Sequence, residues 1–128
     1  MPRTLRCAPE LLKKDLTGRT YVVTGANSGV GLATTEQLVR QGGHVVMGCR
    51  RVEAGNRAAA SIAGAGSVEV MELNLGSLAS VRRFAEAFRN KHDRLDALVN
   101  NAGIMATPFH WTEDGFEGQF GVNHLGHF

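Results

Sequence analysis

Residues 24–31 read Thr-Gly-Ala-Asn-Ser-Gly-Val-Gly and sit between an apolar run, Tyr21–Val23, and a helix-like stretch that begins near Val30. Placement constrains the fold more than the glycines do. A strand that stops on a tight glycine-rich turn and restarts as a helix aims backbone N–H groups and a positive dipole end at one spot, and such a spot suits a phosphate. The spacing is Gly25-x3-Gly29-x-Gly31 rather than G-x-G-x-x-G. By physical role, Gly25 permits the sharp turn, Gly29 the close approach of a pyrophosphate, and Gly31 the packing of helix on strand. An ordinary glycine-rich turn in an α/β protein would read the same way, so the rest of the chain has to decide.

Downstream, strand and helix patterns alternate. Residues 20–24 are β-branched or aromatic and read as a buried strand. Residues 30–41 carry Val30, Ala33 and Leu38 among polar residues, and Gly42-Gly43 stops that helix. His44–Cys49 is a second strand, followed by Arg50-Arg51 and an alanine-rich segment ending near Gly64. Val68–Leu73 is a third. Over Leu78–His92, Val81, Phe84, Ala85 and Phe88 fall at i, i+3, i+4 and i+7, with Ser77 placed to cap the start. Leu95–Asn100 is a fourth strand and runs into Asn101-Ala102-Gly103. Four strands separated by helix-length segments imply βαβ units and a parallel sheet covered on both faces. Residues 1–15 lack periodicity and read as a loosely attached arm; residues 16–128 read as one incomplete domain.

Composition excludes several classes. An apolar fraction of 43% and a charged fraction of 20% suit a globular protein with a real core. The net charge of +2 comes without any block of like charge that would suit nucleic acid. Cys7 and Cys49 lie far apart without a metal-type spacing, which reads as free thiols in a reducing compartment. Arg3 and Arg6 are not followed by the apolar core of a signal peptide, and no stretch approaches the ~20 apolar residues of a membrane span. The expectation is a cytoplasmic protein with no membrane span. His124 and His127 are three apart, but no carboxylate or cysteine joins them at a supporting spacing, so no metal site is expected.

In an open parallel sheet the ligand lies beyond the carboxyl ends of the strands. The second strand ends about 25 residues after Gly25, where an acidic residue would bind a ribose 2′-hydroxyl. Arg50 and Arg51 stand there instead. A guanidinium pairs bidentately with a 2′-phosphate, so the residues favour NADP over NAD, with Arg50 the reader and Arg51 a solvated helix start. The third strand ends at Leu73-Asn74-Leu75. After the fourth, Asn100 and Asn101 can satisfy loop backbone groups, while small Ala102 and Gly103 let a flat ring approach the main chain.

Thr112, Asp114 and Gly115 look like a helix entry, after which Phe116, Phe120, Asn123 and His127 recur at i, i+4, i+7 and i+11. That spacing predicts a helix with the Asn123 amide on a buried apolar face, where it must find partners. Gly121 and Gly126 weaken such a helix by about a kilocalorie each, which suits either a functional kink or a core Asn with satisfied partners.

Together these residues resemble the short-chain dehydrogenase/reductase family from Leu16 to the C-terminus. The resemblance rests on Thr24–Gly31, on Asn100-Asn101-Ala102-Gly103, and on Asn123 in Asn-His-Leu-Gly. The wording of residues 112–128 is most similar to the retinol dehydrogenase and protochlorophyllide reductase branch, which prefers NADP. The resemblance implies a Rossmann-type, doubly wound sheet with strand order 3-2-1-4. It implies that Gly25, Asn27, Ser28, Gly29, Val30 and Gly31 surround the pyrophosphate and adenosine ribose, and that Arg50 meets the 2′-phosphate. Asn74 and Leu75 then flank the adenine, and Asn101, Ala102 and Gly103 line the nicotinamide-side ribose. Asn123 becomes the helix-kinking member of the family's Asn-Ser-Tyr-Lys tetrad, holding a water in the proton relay. The implied substrate is a small-molecule alcohol or carbonyl, with a retinoid or another lipophilic carbonyl as the guess; a homo-oligomer is compatible with it.

Two departures from the family stand out. Asn74 replaces the usual Asp of the adenine pocket. The chain also ends at Phe128, before the catalytic serine and Tyr-x-x-x-Lys; the one tyrosine, Tyr21, lies inside the first strand. The expectation is therefore a fragment whose fourth strand, Ala97-Leu98-Val99, forms an exposed edge and whose Phe116 and Phe120 lack cover. A truncated, non-catalytic NADP-binding or interaction protein is the second reading. A Rossmann-type methyltransferase shares the sheet and first turn but finds no support in Arg50 or in the Asn100–Gly103 run.

Overall fold

The computed structural model describes residues 6–128. Residues 1–5, part of the expected N-terminal arm and including Arg3, lie outside the described residues. A four-stranded parallel sheet with order β3-β2-β1-β4 forms the centre. Along the chain run β1 (Thr20–Thr24), α1 (Gly29–Arg40), β2 (His44–Cys49), α2 (Val52–Ala59), β3 (Ser67–Glu72), α3 (Leu78–Lys91), β4 (Ala97–Val99) and α4 (Gly118–Phe120).

Strand alternation distributes the core to two faces. Tyr21, Val23, Val45, Met47 and Cys49 point to one side, where Leu38 and Val39 of α1 and Ala58 and Ala59 of α2 cover them. Val22, Val46 and Met71 point to the other, beneath Phe84 and Phe88 of α3. All five residues of β1 are buried, because the strand is interior and covered on both faces. The sheet is thus doubly wound, as the alternating pattern required.

Glycine appears where chains nearly touch. At Gly55 of α2, an added Cβ would lie 2.6 Å from Val70 Cγ1, so a larger residue would push the helix off the sheet. In α3 the Ser77 hydroxyl accepts from Ser80 N–H at 3.4 Å, as expected, and Asp114 adds a cap from outside the helix by accepting from Leu78 N–H at 2.8 Å.

Three differences from the sequence pattern have physical reasons. First, the described part of the N-terminal arm is held in place: a 3₁₀ turn at Leu11–Lys13 is tied to α1 by Gln41 Nε2, which donates to Leu11 O and Lys14 O at 2.8 Å each. Second, β4 begins at Ala97 rather than Leu95 and ends at Val99, where Asn101 N–H turns back onto Val99 O at 2.9 Å. Third, no helix runs from residue 112. Gly115 (φ +80°) closes a turn in which Thr112 Oγ1 accepts from Phe116 N–H at 3.1 Å. The helix starts only at Gly118, capped by the Glu117 carboxylate, which accepts from Gln119 and Phe120 N–H at 3.0 and 2.9 Å.

From Gly121 to Leu125 the helix widens into a π turn, with Gly126 N–H reaching back five residues to Gly121 O at 2.7 Å. The extra residue breaks the 3.6 period on which the buried-face expectation rested. Phe120 and Asn123 are accordingly exposed, and Phe116 lies at the surface. The glycines are explained by contact rather than by weakness: an added Cβ at Gly126 would sit 2.3 Å from Leu75 O.

β4 is an edge strand with Ala97 and Leu98 exposed, as anticipated. Its start is pinned by Asp96, whose Oδ2 accepts from Thr20 N–H at 2.8 Å. The hydrogen bond from Arg94, and then that from the Thr20 amide, hold the Asp96 carboxyl below its ordinary value. A carboxyl lowered on folding adds stability above its unfolded pKa of about 3.9 and loses it as pH falls through the lower folded value. Acid denaturation monitored by circular dichroism should show Asp96→Asn removing part of the wild-type loss of stability below about pH 4; an unchanged acid limb would refute the pinning role.

Candidate functional site

At the carboxyl end of the sheet lies a cavity of about 330 Å³. The glycine turn supplies Gly25, Asn27 and Ser28, the end of β2 supplies Gly48 and Arg50, and the loop after β3 supplies Leu73, Asn74 and Leu75. Asn101, Ala102, Gly103 and Ile104 close it from beyond β4, with Val122 on the π turn. Nine residues named from sequence thus meet in one place, although they come from four separate strand ends.

The turn is built as its residue types require. Gly25 has φ +63°, and an added Cβ there would lie 2.9 Å from Ala102 Cα. Gly25 N–H also donates to Gly48 O at 2.9 Å, so this one residue joins the ends of three strands. Gly29, the first residue of α1, has φ +55° and open space where a Cβ would point. Gly31 faces inward, where an added Cβ would lie 2.4 Å from Gly25 O. Ser28, the N-cap of α1, makes no side-chain cap bond, which leaves the first-turn N–H groups without a side-chain partner. Val30 points outward at 75% exposure and does not line the cavity.

Arg50 is exposed at the cavity wall, and among the described residues it forms no salt bridge. Arg51 is the N-cap of α2 and is exposed. Asn74 lines the cavity, and its Oδ1 accepts from Gly76 N–H at 3.0 Å, so the amide also shapes its own loop. Next to the turn, Cys49 is buried; burial pushes its thiol up, against the opposing pull of the Ala26 and Asn27 amides.

A polar cluster holds the fourth strand end. The Thr24 hydroxyl accepts from Asn101 N–H at 3.0 Å and Ala102 N–H at 2.9 Å. Its own proton faces His127 Nε2 at 2.8 Å, while His127 Nδ1–H donates to Asn123 O at 3.1 Å. Both nitrogens of His127 are therefore engaged within the protein. Asn101 Nδ2 donates to Thr24 O at 2.9 Å and Gly25 O at 3.3 Å, which satisfies loop carbonyls and leaves Ala102 and Gly103 on the cavity wall.

Asn123 departs from its expected place. It is exposed rather than buried, it does not line the cavity, and both ends of its amide engage Ile104: Nδ2 donates to Ile104 O and Oδ1 accepts from Ile104 N–H, each at 2.8 Å. Its side chain acts as a two-point clamp on the loop after β4, using one of its two N–H donors and one lone pair of its oxygen. Gly48, Ile104 and Val122 were not foreseen. Gly48 stands two residues before Arg50 and had a readable signal, whereas Val122 reaches the cavity only because of the π turn.

A second, more apolar hollow of about 410 Å³ lies between α3 and β4, lined by Phe84, Phe88, Leu95 and Leu98 among others. It lacks the glycine turn and the convergent backbone donors, so it is not the dinucleotide candidate. Among the described residues no helix is long and apolar enough to cross a membrane.

Comparison with known proteins agrees with this geometry. The model of the short chain dehydrogenase family matches residues 19–128. Human retinol dehydrogenase 13 is 48% identical over 120 residues, covering 91% of this chain and 36% of that protein. The chain therefore spans a little over a third of that relative's length. A crystal structure of an uncharacterised protein from Mycobacterium paratuberculosis superposes with a TM-score of 0.81 at 50% identity, covering 89% of this chain and 40% of the other. The Pseudomonas aeruginosa RhlG/NADP active-site complex superposes with a TM-score of 0.66 at 36% identity, covering 70% of this chain and 36% of the other.

Thr24→Val keeps the shape of a 2%-exposed side chain but removes the acceptor for Ala102 N–H and one of the two acceptors of Asn101 N–H. Urea unfolding should show a loss of about 1–3 kcal/mol, with Thr24→Ser largely restoring stability. Equal stability in Thr24→Val would show that the hydroxyl does not hold the loop.

Proposed function

The chain belongs to the short-chain dehydrogenase family, and on that premise we propose that it forms the cofactor-binding part of an NADP-dependent oxidoreductase interconverting an alcohol and a ketone or aldehyde. The observation that carries this reading is the meeting, in one cavity, of the glycine turn, Arg50, Asn74 and the Asn101–Gly103 loop. A dinucleotide fits that donor set. The first-turn N–H groups of α1 face the pyrophosphate, and the open space beside Gly29 admits it. Arg50 supplies a forked cation for a 2′-phosphate. Asn74 and Leu75 flank the adenine, and Ala102 and Gly103 border the nicotinamide-side ribose. The nicotinamide would supply the hydride chemistry, and this chain's residues bind and orient it.

Asn123, placed in the π turn and clamped on Ile104, serves in this reading as the helix-kinking residue that holds a water of the proton relay. The substrate is a small molecule; a lipophilic carbonyl such as a retinoid is the class that the retinol dehydrogenase likeness suggests. NADP is preferred over NAD because Arg50, and no carboxylate, stands at the end of β2.

A second reading is a non-catalytic NADP-binding or interaction protein. It is favoured by the exposed edge of β4, at Ala97 and Leu98, which offers a surface for a partner. Measuring NADPH binding and turnover separately tests both: binding without turnover supports a competent but incomplete cofactor module, and the absence of both in folded protein removes the cofactor role.

Arg50→Glu should weaken NADPH binding by on the order of 10- to 100-fold while NADH binding changes much less. Equal losses for both cofactors would refute a 2′-phosphate role. Gly29→Val, which strains a left-handed backbone and fills the open cradle, should abolish binding of both nucleotides; retained affinity by fluorescence titration would remove the pyrophosphate from this turn.

A further inference from the structure

At the end of the sheet opposite the dinucleotide cavity, three side chains far apart in sequence converge. His44 is the first residue of β2, Glu69 lies within β3, and His92 is the C-cap of α3. One ligand-type atom from each lies within 4.8 Å of the other two, and all three residues are partly buried. We propose that His44, Glu69 and His92 form a binding site for a Zn²⁺-class transition-metal cation.

The hydrogen bonding around the triad is incomplete in the way a metal would complete. His92 Nε2 lies 3.0 Å from Glu69 Oε2. A ring nitrogen that close to a carboxylate oxygen must be the donor. His44 Nδ1 lies 2.7 Å from Ser67 Oγ, which orients the ring and leaves Nε2 aimed at the cluster. Nε2 of His44 is buried and has no hydrogen-bond partner; the nearest Glu69 oxygen is 3.9 Å away. An orphaned buried nitrogen costs free energy in either tautomer, whereas as a metal ligand it is satisfied.

The surroundings resemble an outer shell around such a site. Ser67 fixes the His44 ring, as outer-shell partners of ligating histidines do. Lys91 Nζ donates to Glu69 Oε1 at 2.6 Å and leaves Oε2 for the cation. The Lys91 side chain is 58% exposed, so it can swing outward when a second positive charge arrives. Tetrahedral Zn²⁺ with bonds near 2.0–2.1 Å places its ligands about 3.3 Å apart. The His92–Glu69 separation of 3.0 Å and the His44–Glu69 separation of 3.9 Å bracket that spacing. Binding replaces the proton between His92 Nε2 and Glu69 Oε2 by the metal and releases it to solvent, with no change of oxidation state. Two imidazoles and one carboxylate leave a fourth position for water and suit Zn²⁺ or Co²⁺ better than Mg²⁺ or Ca²⁺.

The test is titration of the metal-free chain with Co²⁺, followed by visible absorption, and with Zn²⁺, followed by calorimetry and thermal unfolding. The expected result is one equivalent bound, tetrahedral-type cobalt bands without thiolate charge transfer, a raised Tm with Zn²⁺, and no response to Mg²⁺. His44→Ala and His92→Ala should each weaken binding at least ten-fold. Glu69→Gln, which keeps the side chain's size, should do the same in a chain of unchanged circular dichroism. His124→Ala should bind like the wild type. Absence of stoichiometric binding by the wild type, or binding that Glu69→Gln and His92→Ala leave intact, would overturn the proposal.

Discussion

The close approach of Gly25 to Ala102 is the contact on which the carboxyl end of the sheet depends. Gly25 must take φ +63° to leave β1, and its Cα must lie where no side chain fits against Ala102. The same residue donates to Gly48 O, so the ends of β2, β1 and β4 are drawn together at one backbone position. Gly31 repeats the logic within the first turn of α1, pressed on Gly25 O and on the Asn101 amide. Without those missing side chains α1 could not start so near the sheet, and its N–H groups would not face the cavity.

Polar satisfaction does the second half of the assembly. The loop after β4 has no ladder to join, so its backbone groups need side-chain partners. Thr24 accepts two of the N–H groups, Asn101 returns its own amide to the glycine turn, and Asn123 clamps Ile104 at both N–H and C=O. The cavity wall is therefore held by hydrogen bonds from β1 and from the π turn together. This explains how a loop can be both polar and well placed: each carboxamide is spent on main chain, and the small residues Ala102 and Gly103 are left to border the ligand space.

The far end of the sheet is organised by charge instead. Burial pushes the Glu69 carboxyl up, yet hydrogen bonds from Lys91 and His92 and their charges outweigh it, so its net pKa is lowered. That cluster ties β3 to the end of α3, and His44 brings β2 within reach. On the remaining side, β4 stands as an edge next to an apolar hollow.

Period and punctuation were enough to foretell much of this. Buried β-branched runs, the 3.6-residue spacing of Val81, Phe84 and Phe88, and the glycine turn determine strands, helices and a parallel sheet, because each encodes a local backbone geometry. The cavity residues at strand ends followed, since topology alone brings the carboxyl ends of parallel strands together. Residues 112–128 were misread because apolar spacing cannot reveal an inserted residue. The π turn at Gly121–Leu125 is set by contact with Leu75 and by the Glu117 cap, and it rotates Asn123 out of the expected face. The triad of His44, Glu69 and His92 had no sequence signal at all. Its members come from two strands and a helix end, and only tertiary packing decides that their polar atoms meet.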